Sequence, residues 1–368
     1  MIKVCLLTNM PVPYREKVHE FVAENLRAEY TVVYFSKMES NRQWDFNQGN
    51  YKYNILKSSE FRFRKRIIHI NFNIYKELNS LNPDVLIVSG LGPTSLLAVF
   101  WAKIKNKKII PFTDAFLLSE SSLKLNKIQI YLRRKIYSTS KACIGASKGS
   151  IEMFRYYGAK SKNIFQSHLC IDNKYFFETY KSYKTSLKRD FDLIYSGRLT
   201  DDKNIDFFTQ VIVELKKKKP NLSVLIIGSG PAEKKVVKKL RDVNVSFNFP
   251  GFIDQKDLPK YYMKAKLLLL PTKRDAWGLV CNEASAVGTP VVTTKYAGAA
   301  NDLVIHKITG LVLELDLNLW VEEVNKLLLD KNKLEELSKN AMERVQNYNF
   351  KNASQGIIDA VNNVINKN

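Results

Sequence analysis

Residues 267–304 read LLLLPTKRDAWGLVCNEASAVGTPVVTTKYAGAANDLV. Four consecutive leucines end at Pro271, as expected of a strand buried on both faces. A polar loop follows, and a helix carrying Glu283 is expected from Gly278. A second strand begins near Pro290. Strand, loop, helix and strand in that order make a parallel βαβ unit. The same rhythm continues outward. In the second half, strands are expected at Phe191–Tyr195, Ser223–Ile227, Val245–Phe249, Leu267–Leu270, Pro290–Thr293 and Gly310–Leu313. In the first half they are expected at Lys3–Leu7, Tyr30–Phe35, Val85–Val88, Lys108–Pro111 and Ala142–Gly145, with helical patterns over 13–27, 66–80, 94–106 and 122–139. Helical patterns at 318–329, 331–347 and 351–366 close the chain.

This is an α/β protein of two doubly wound, Rossmann-like domains. The length of 368 residues fits two domains, and 45% apolar residues support two cores. Residues 179–190, TYKSYKTSLKRD, have no apolar run and read as a linker. The expected domains are 1–180 and 181–350, with the terminal helix 351–368 packing back on the first. Ligands of such sheets bind outside the carboxyl ends of the strands. With two sheets, the expected site is the cleft between domains.

The chain carries 58 Lys and Arg against 36 Asp and Glu, a formal charge of +22. Residues 61–135 hold 14 basic and 4 acidic side chains, so the excess concentrates there. It reflects either an anionic partner or a compositional bias toward lysine. No RNA-binding signature and no basic reading helix accompany it, which argues against a nucleic-acid-binding protein. The four cysteines form no CxxC pair, so neither a common zinc site nor a disulfide framework is expected. The N-terminal apolar run is too short for a signal-peptide core, and a cytoplasmic location is expected. Val85–Ala102 is uncharged over the length of a membrane span. Gly90, Gly92 and Pro93 at its centre predict a strand, a turn and a helix instead.

Three segments of the second half carry candidate chemistry. In the quoted stretch, Asp275 precedes the helix and Glu283 lies about two turns into it. A helix N-terminus beside a strand end suits an anion or a set of hydroxyls. Asp275 either meets a ligand there or caps the helix. Residues 193–204, LIYSGRLTDDKN, place Arg198 and Lys203 after a strand, either as phosphate-binding cations or as surface charges. Residues 225–231, LIIGSGP, hold a GxG without the full GxGxxG, which argues against a nicotinamide dehydrogenase.

Together these strings resemble the retaining glycosyltransferases of family 4, which have the GT-B fold of two facing Rossmann-like domains with an interdomain cleft. The family pattern is Glu, seven residues, Glu, with Phe-Gly or Trp-Gly inside, then Ala and Gly-x-Pro-Val-Val. Here it reads DAWGLVCNEASAVGTPVV from residue 275. The departure is Asp275 in place of the first Glu, a carboxylate one methylene shorter. The resemblance implies that Gly197, Arg198 and Lys203 hold a donor diphosphate, and that Asp275 is catalytic. It places Gly230, Phe252, Trp277, Gly278, Leu279 and Glu283 around the donor, with Phe252 equally readable as packing. In the first half, TNMPVPYRE (8–16) is similar to segments of some members. It puts Pro13, Tyr14 and Arg15 on the acceptor side, where Arg15 meets either an anionic acceptor or a structural partner. Many members carry a His after the strand corresponding to Lys108–Pro111. Here PFTDAF offers Asp114, which either takes that place or caps a turn.

The implied activity is transfer of a hexose or N-acetylhexosamine from a nucleotide sugar, with retention, to a polyprenyl-diphosphate-linked glycan in bacterial surface polysaccharide assembly. No metal or other cofactor is implied; the nucleotide sugar is a co-substrate. A sugar-nucleotide epimerase of the same fold is the rival enzyme. FRFRKRIIHI (61–70) and the basic amphipathic pattern at 121–137, with Leu125, Ile128, Tyr131, Leu132 and Ile136 as its apolar set, suit either an anionic membrane surface or a solvated helix edge. A peripheral place on the inner face of the cytoplasmic membrane is therefore expected.

Overall fold

The computed structural model describes residues 1–39, 49–57, 60–63, 66–121 and 125–366. Arg64 and Lys65 of the basic segment 61–70, residues 122–124 of the segment 121–137, and residues 367–368 of the terminal helix lie outside the described residues. The chain divides into two compact units, Met1–Cys170 with Phe350–Asn368, and Ile171–Asn349.

The first unit runs β1 (Lys3–Thr8), α1 (Pro13–Asn25), β2 (Glu29–Tyr34), β3 (Lys52–Ile55), β4 (Glu60–Phe63), β5 (Arg66–His69), α2 (Ile74–Leu81), β6 (Val85–Ser89), α3 (Pro93–Ile104), β7 (Lys108–Thr113), α4 (Leu117–Ser121), α5 (Lys127–Thr139), β8 (Cys143–Gly145), α6 (Lys148–Tyr156) and β9 (Ile164–Gln166). The second runs α7 (Asn173–Tyr183), β10 (Phe191–Ser196), α8 (Ile205–Lys218), β11 (Ser223–Ile227), α9 (Glu233–Asp242), β12 (Ser246–Gly251), α10 (Leu258–Met263), β13 (Ala265–Leu270), α11 (Leu279–Ala286), β14 (Val291–Thr294), β15 (Gly310–Leu313), α12 (Leu317–Leu329) and α13 (Lys331–Val345). The last helix, α14 (Phe350–Ile365), returns to the first unit.

Each unit is built on a parallel sheet. The first has seven strands in the order β3-β2-β1-β6-β7-β8-β9, the second six in the order β12-β11-β10-β13-β14-β15. In both, the first strand lies near the centre and strand addition reverses beside it. Burial explains the continuous apolar runs. Val4 and Leu6 of β1 join one core cluster with Ile357 and Val361 of α14. Cys5 and Leu7 join another with Ala98 and Trp101 of α3. Successive side chains point to opposite faces, so a sheet covered on both needs apolar residues at every position. In the second unit, Leu193, Tyr195, Val224 and Ile226 pack with Phe208 and Trp320.

The structure departs from the sequence reading at residues 66–80 and 179–183, and agrees with it over Val85–Ala102. Residues 66–80 are not one helix: β5 pairs antiparallel with β4, and α2 starts only at Ile74. A run of β-branched residues next to another extended segment favours that hairpin. Residues 179–183, read as linker, belong to α7, capped by the Asp172 side chain and packed on α10 and α11. The uncharged span Val85–Ala102 is β6, a turn and most of α3, and no helix among the described residues is long and apolar enough to cross a membrane.

Candidate functional site

The sheet order of the second unit sets the carboxyl ends of β10 and β13 side by side at the point where strand addition reverses. In open α/β sheets that point is where ligands bind. Two polar loops leave it. One runs from Gly197 to Asn204 and feeds α8; the other runs from Pro271 to Gly278 and feeds α11. They are tied together. The Asp202 carbonyl accepts from Lys273 N at 3.0 Å and from Thr272 Oγ1 at 2.9 Å.

Across this seam Lys203 Nζ donates to Asp275 Oδ2 at 2.5 Å, with the two side chains only 15% and 18% exposed. A charge-assisted bond with so little water around it holds both groups in place. The outer cations pair as well, Arg198 with Asp202 at 3.3 Å and Lys273 with Asp201 at 2.9 Å, but these pairs are exposed and add little to stability. Beneath the loops, the turn after β11 presses on the turn after β10. At Gly228 a Cβ would stand 1.9 Å from the Gly197 carbonyl oxygen, so only glycine permits the approach.

Helix α11 begins at Gly278, whose φ of 91° favours glycine, and no side chain caps it. Asp275 is therefore not the cap. It bonds Lys203, and its Oδ1 accepts from Trp277 N at 3.4 Å. An uncapped helix start presents backbone N–H groups and the positive end of the helix dipole to the loop. One turn inward, Glu283 is buried and accepts from Tyr262 Oη at 2.6 Å. Burial raises its pKa from 4.5 to about 7, while the Tyr262 bond pulls it the other way.

The structure thus brings Gly197, Arg198, Lys203, Asp275, Gly278, Leu279 and Glu283 to one end of one sheet. Gly230 shares the turn after β11, where its carbonyl accepts from Glu233 N. Trp277 is different: it is 1% exposed, its indole N–H donates to Asn282 Oδ1 at 2.7 Å, and its ring lies 5.7 Å from that of Tyr348. It anchors the loop from below rather than facing a ligand. Phe252 follows Gly251, whose carbonyl accepts from Gly228 N, and its ring is 68% exposed beside a shallow pocket with Tyr183 and Lys260.

The first unit has its own reversal point, between β1 and β6. A cavity of about 420 Å³ opens there, lined by Asn9, Tyr14, Arg15, His69, Ser95 and Asp114 among others. Pro13 starts α1, which fixes the first turn carrying Tyr14 and Arg15. Arg15 is largely committed within the unit. It donates to Ser167 Oγ at 3.1 Å and to the Ser167 carbonyl at 3.2 Å, and it lies over the Phe112 ring at 4.9 Å. Asp114 is exposed at the rim, directly after β7. Sequence reasoning did not reach Tyr262, nor His69 and Glu39, which line the cavity and pair at 3.1 Å. Of the three, His69 alone lies in a quoted string, FRFRKRIIHI (61–70), and that string points to basic charge rather than to a pocket.

Residues 177–344 match the family model described as glycosyl transferases group 1, nearly the whole of the second unit. The capsular polysaccharide biosynthesis glycosyltransferase CapM of Staphylococcus aureus is 30% identical over 171 residues, 45% of this chain and 44% of that protein. The lipopolysaccharide 1,2-N-acetylglucosaminetransferase of Salmonella typhimurium is 24% identical over 187 residues, 48% of this chain and 49% of that protein. The chain matches about half the length of these curated relatives. Among solved structures, Anabaena HepE in complex with UDP and glucose superposes with a TM-score of 0.72 at 15% identity, over 98% of this chain and 99% of that one. At that identity the likeness shows the fold, and the fold is GT-B.

Proposed function

We propose that this chain is a retaining glycosyltransferase of family 4. It transfers a hexose or N-acetylhexosamine from a nucleotide sugar to a polyprenyl-diphosphate-linked glycan in bacterial surface polysaccharide assembly. The observation that carries this reading is the seam at the reversal point of the second unit. There Lys203, held by Asp275, stands with Arg198 and the uncapped start of α11 inside the segment matching the group 1 family. Cations and backbone amides gathered at one strand mouth suit a diphosphate, and they stabilise it most when it leaves with added charge. Exposed Arg198, paired with Asp202 in the structure, offers the leaving group a cation at the rim. In the proposed step the bond from the anomeric carbon to the phosphate oxygen breaks. A bond to the acceptor oxygen forms on the same face, and the departing phosphate oxygen takes the acceptor proton. The cationic side chains carry the charge, so the reaction needs no metal cofactor.

The first unit is the proposed acceptor side. Its cavity offers Tyr14, Asn9, Ser95 and Asp114 to glycan hydroxyls. Helix α5 supports a peripheral place on an anionic membrane, on the inner face of the cytoplasmic membrane. Ile128 and Tyr131 are 69% and 63% exposed on it, beside exposed Lys127, Arg134 and Lys135. The deciding experiment is nucleoside diphosphate release from a panel of nucleotide sugars, with and without a glycolipid acceptor, in the presence of EDTA. Acceptor-dependent release that falls at least tenfold in Lys203→Ala is expected. Release as fast without acceptor, or interconversion of the sugar alone, would replace transfer with hydrolysis or epimerisation.

A further inference from the structure

Glu283 is controlled by a residue outside both loops. Tyr262, on α10, is fully buried, and its Oη stands 2.6 Å from Glu283 Oε2 and 2.8 Å from Ser196 Oγ. A phenol has one proton to donate. The carboxylate is the nearer and stronger acceptor, so Tyr262 donates to Glu283 and accepts from the Ser196 hydroxyl. Ser196 is itself buried and is the last residue of β10, directly before Gly197 and Arg198. The backbone of Tyr262 is pinned as well, because its carbonyl accepts from Thr289 Oγ1 at 2.8 Å.

We infer that Tyr262 is a positioning residue for donor recognition, the middle of a Ser196–Tyr262–Glu283 relay that holds Glu283 as a carboxylate with Oε1 left to accept from a hydroxyl of the nucleotide sugar. The inference rests on the proposed reading of Glu283 as a donor contact. The relay has two polarities. With Glu283 ionised, bonds run from Ser196 to Tyr262 to Glu283. With Glu283 protonated, the carboxyl donates to Tyr262, whose own proton turns to Ser196. The protonated form is a weaker acceptor for a ligand hydroxyl, so donor affinity follows the proton on Glu283. Burial pushes that proton's release up to about 7, within the working range of a cell.

Few other groups bear on the carboxyl. Helices α7, α10 and α13 and strand β14 pack on α11. Among the described residues, Tyr262 of α10 is the side chain that acts on Glu283's titration. The Cys281 thiol on the same helix responds to Glu283, Asp275 and Lys203 and is pushed far up by burial, so it stays neutral. The relay is thus close to a one-proton device.

Two measurements on the full chain test it. The Glu283 carboxyl is titrated by 13C NMR, assigned with Glu283→Gln, in the wild type, Tyr262→Phe and Ser196→Ala. UDP affinity is measured by calorimetry from pH 5.5 to 9. In Tyr262→Phe the carboxyl should titrate at higher pH. UDP binding should be about tenfold weaker near pH 7 and return toward wild type at pH 9. Ser196→Ala, which removes no bond to the carboxylate, should move both in the same direction by less. An unmoved titration in Tyr262→Phe, or a loss of affinity equal at every pH, would overturn the relay. Failure of the wild type to bind any nucleoside diphosphate would instead overturn the donor reading, and the NMR titration would still show whether Tyr262 governs the Glu283 proton.

Discussion

Glu283 shows what a single residue contributes and costs. In the unfolded chain it ionises near 4.5, in the fold near 7. The fold therefore holds the proton more tightly than the unfolded chain does. The stability linked to that proton is fully present below pH 4.5 and is lost as pH rises through 7. Above that range the buried carboxylate destabilises the fold by on the order of 3 kcal/mol. Glu283→Gln keeps an acceptor for Tyr262 and removes the charge. Relative to the wild type, its stability in urea denaturation should improve between pH 4.5 and pH 8 by that order, while donor-dependent turnover is lost. A stability difference that does not change with pH would show that the carboxyl does not titrate differently in the fold. A group retained at such a cost, at the mouth of a sheet, fits a functional role better than a structural one.

At the scale of elements, α5 carries the test of membrane contact. Its start is well defined: Asn126 accepts from Gln129 N and the Gln129 side chain accepts from Asn126 N, a reciprocal cap. Ile136 and Tyr137 anchor it to the unit, whereas Ile128 and Tyr131 stand in solvent among basic residues. Flotation should carry the protein with phosphatidylglycerol vesicles at low salt and release it as salt rises. Ile128→Asp with Tyr131→Asp should abolish it, and binding unaffected by that pair would sink the role of α5. The elements also show what could be read from the chain alone. Most strands of the second unit were legible because they are continuous buried runs bounded by turn residues, as in Leu267–Leu270, whereas β12 alternates exposed and half-buried positions. Strand β3 was not legible, since Lys52–Ile55 at the sheet edge is largely exposed and lacks that run. Helix α7 was missed because its basic, aromatic sequence reads like a linker until its packing on α10 and α11 is seen. The site divides the same way. Asp275 and Glu283 are eight positions apart in one string, so spacing reveals them. Tyr262 reaches Glu283 from 21 residues upstream, through a contact that only the tertiary fold creates.

At the scale of the molecule, the second unit is one continuous stretch and the first is not. The two ends of that stretch are tied together: Asn173 Nδ2 donates to the carbonyls of Val345 at 2.8 Å and Tyr348 at 3.1 Å. Nearby, Tyr348 Oη donates to Asp302 Oδ1 at 2.5 Å, which secures the C-terminal side of the tie. With its own core and closed ends, a fragment of residues 171–349 should fold alone and melt cooperatively. A fragment without a cooperative transition would show that this core depends on the rest of the chain. The first unit has no such independence. Its β1 to β9 core waits for Ile357, Val361 and Val364 of α14, the final helix. On a ribosome adding about 5–20 residues per second, those side chains arrive roughly ten to forty seconds after β9 is made. The unit whose sheet is synthesised before the other's is thus completed after it, and through that interval the sheet face that α14 will cover is left to chaperones, or to the chain's own transient contacts.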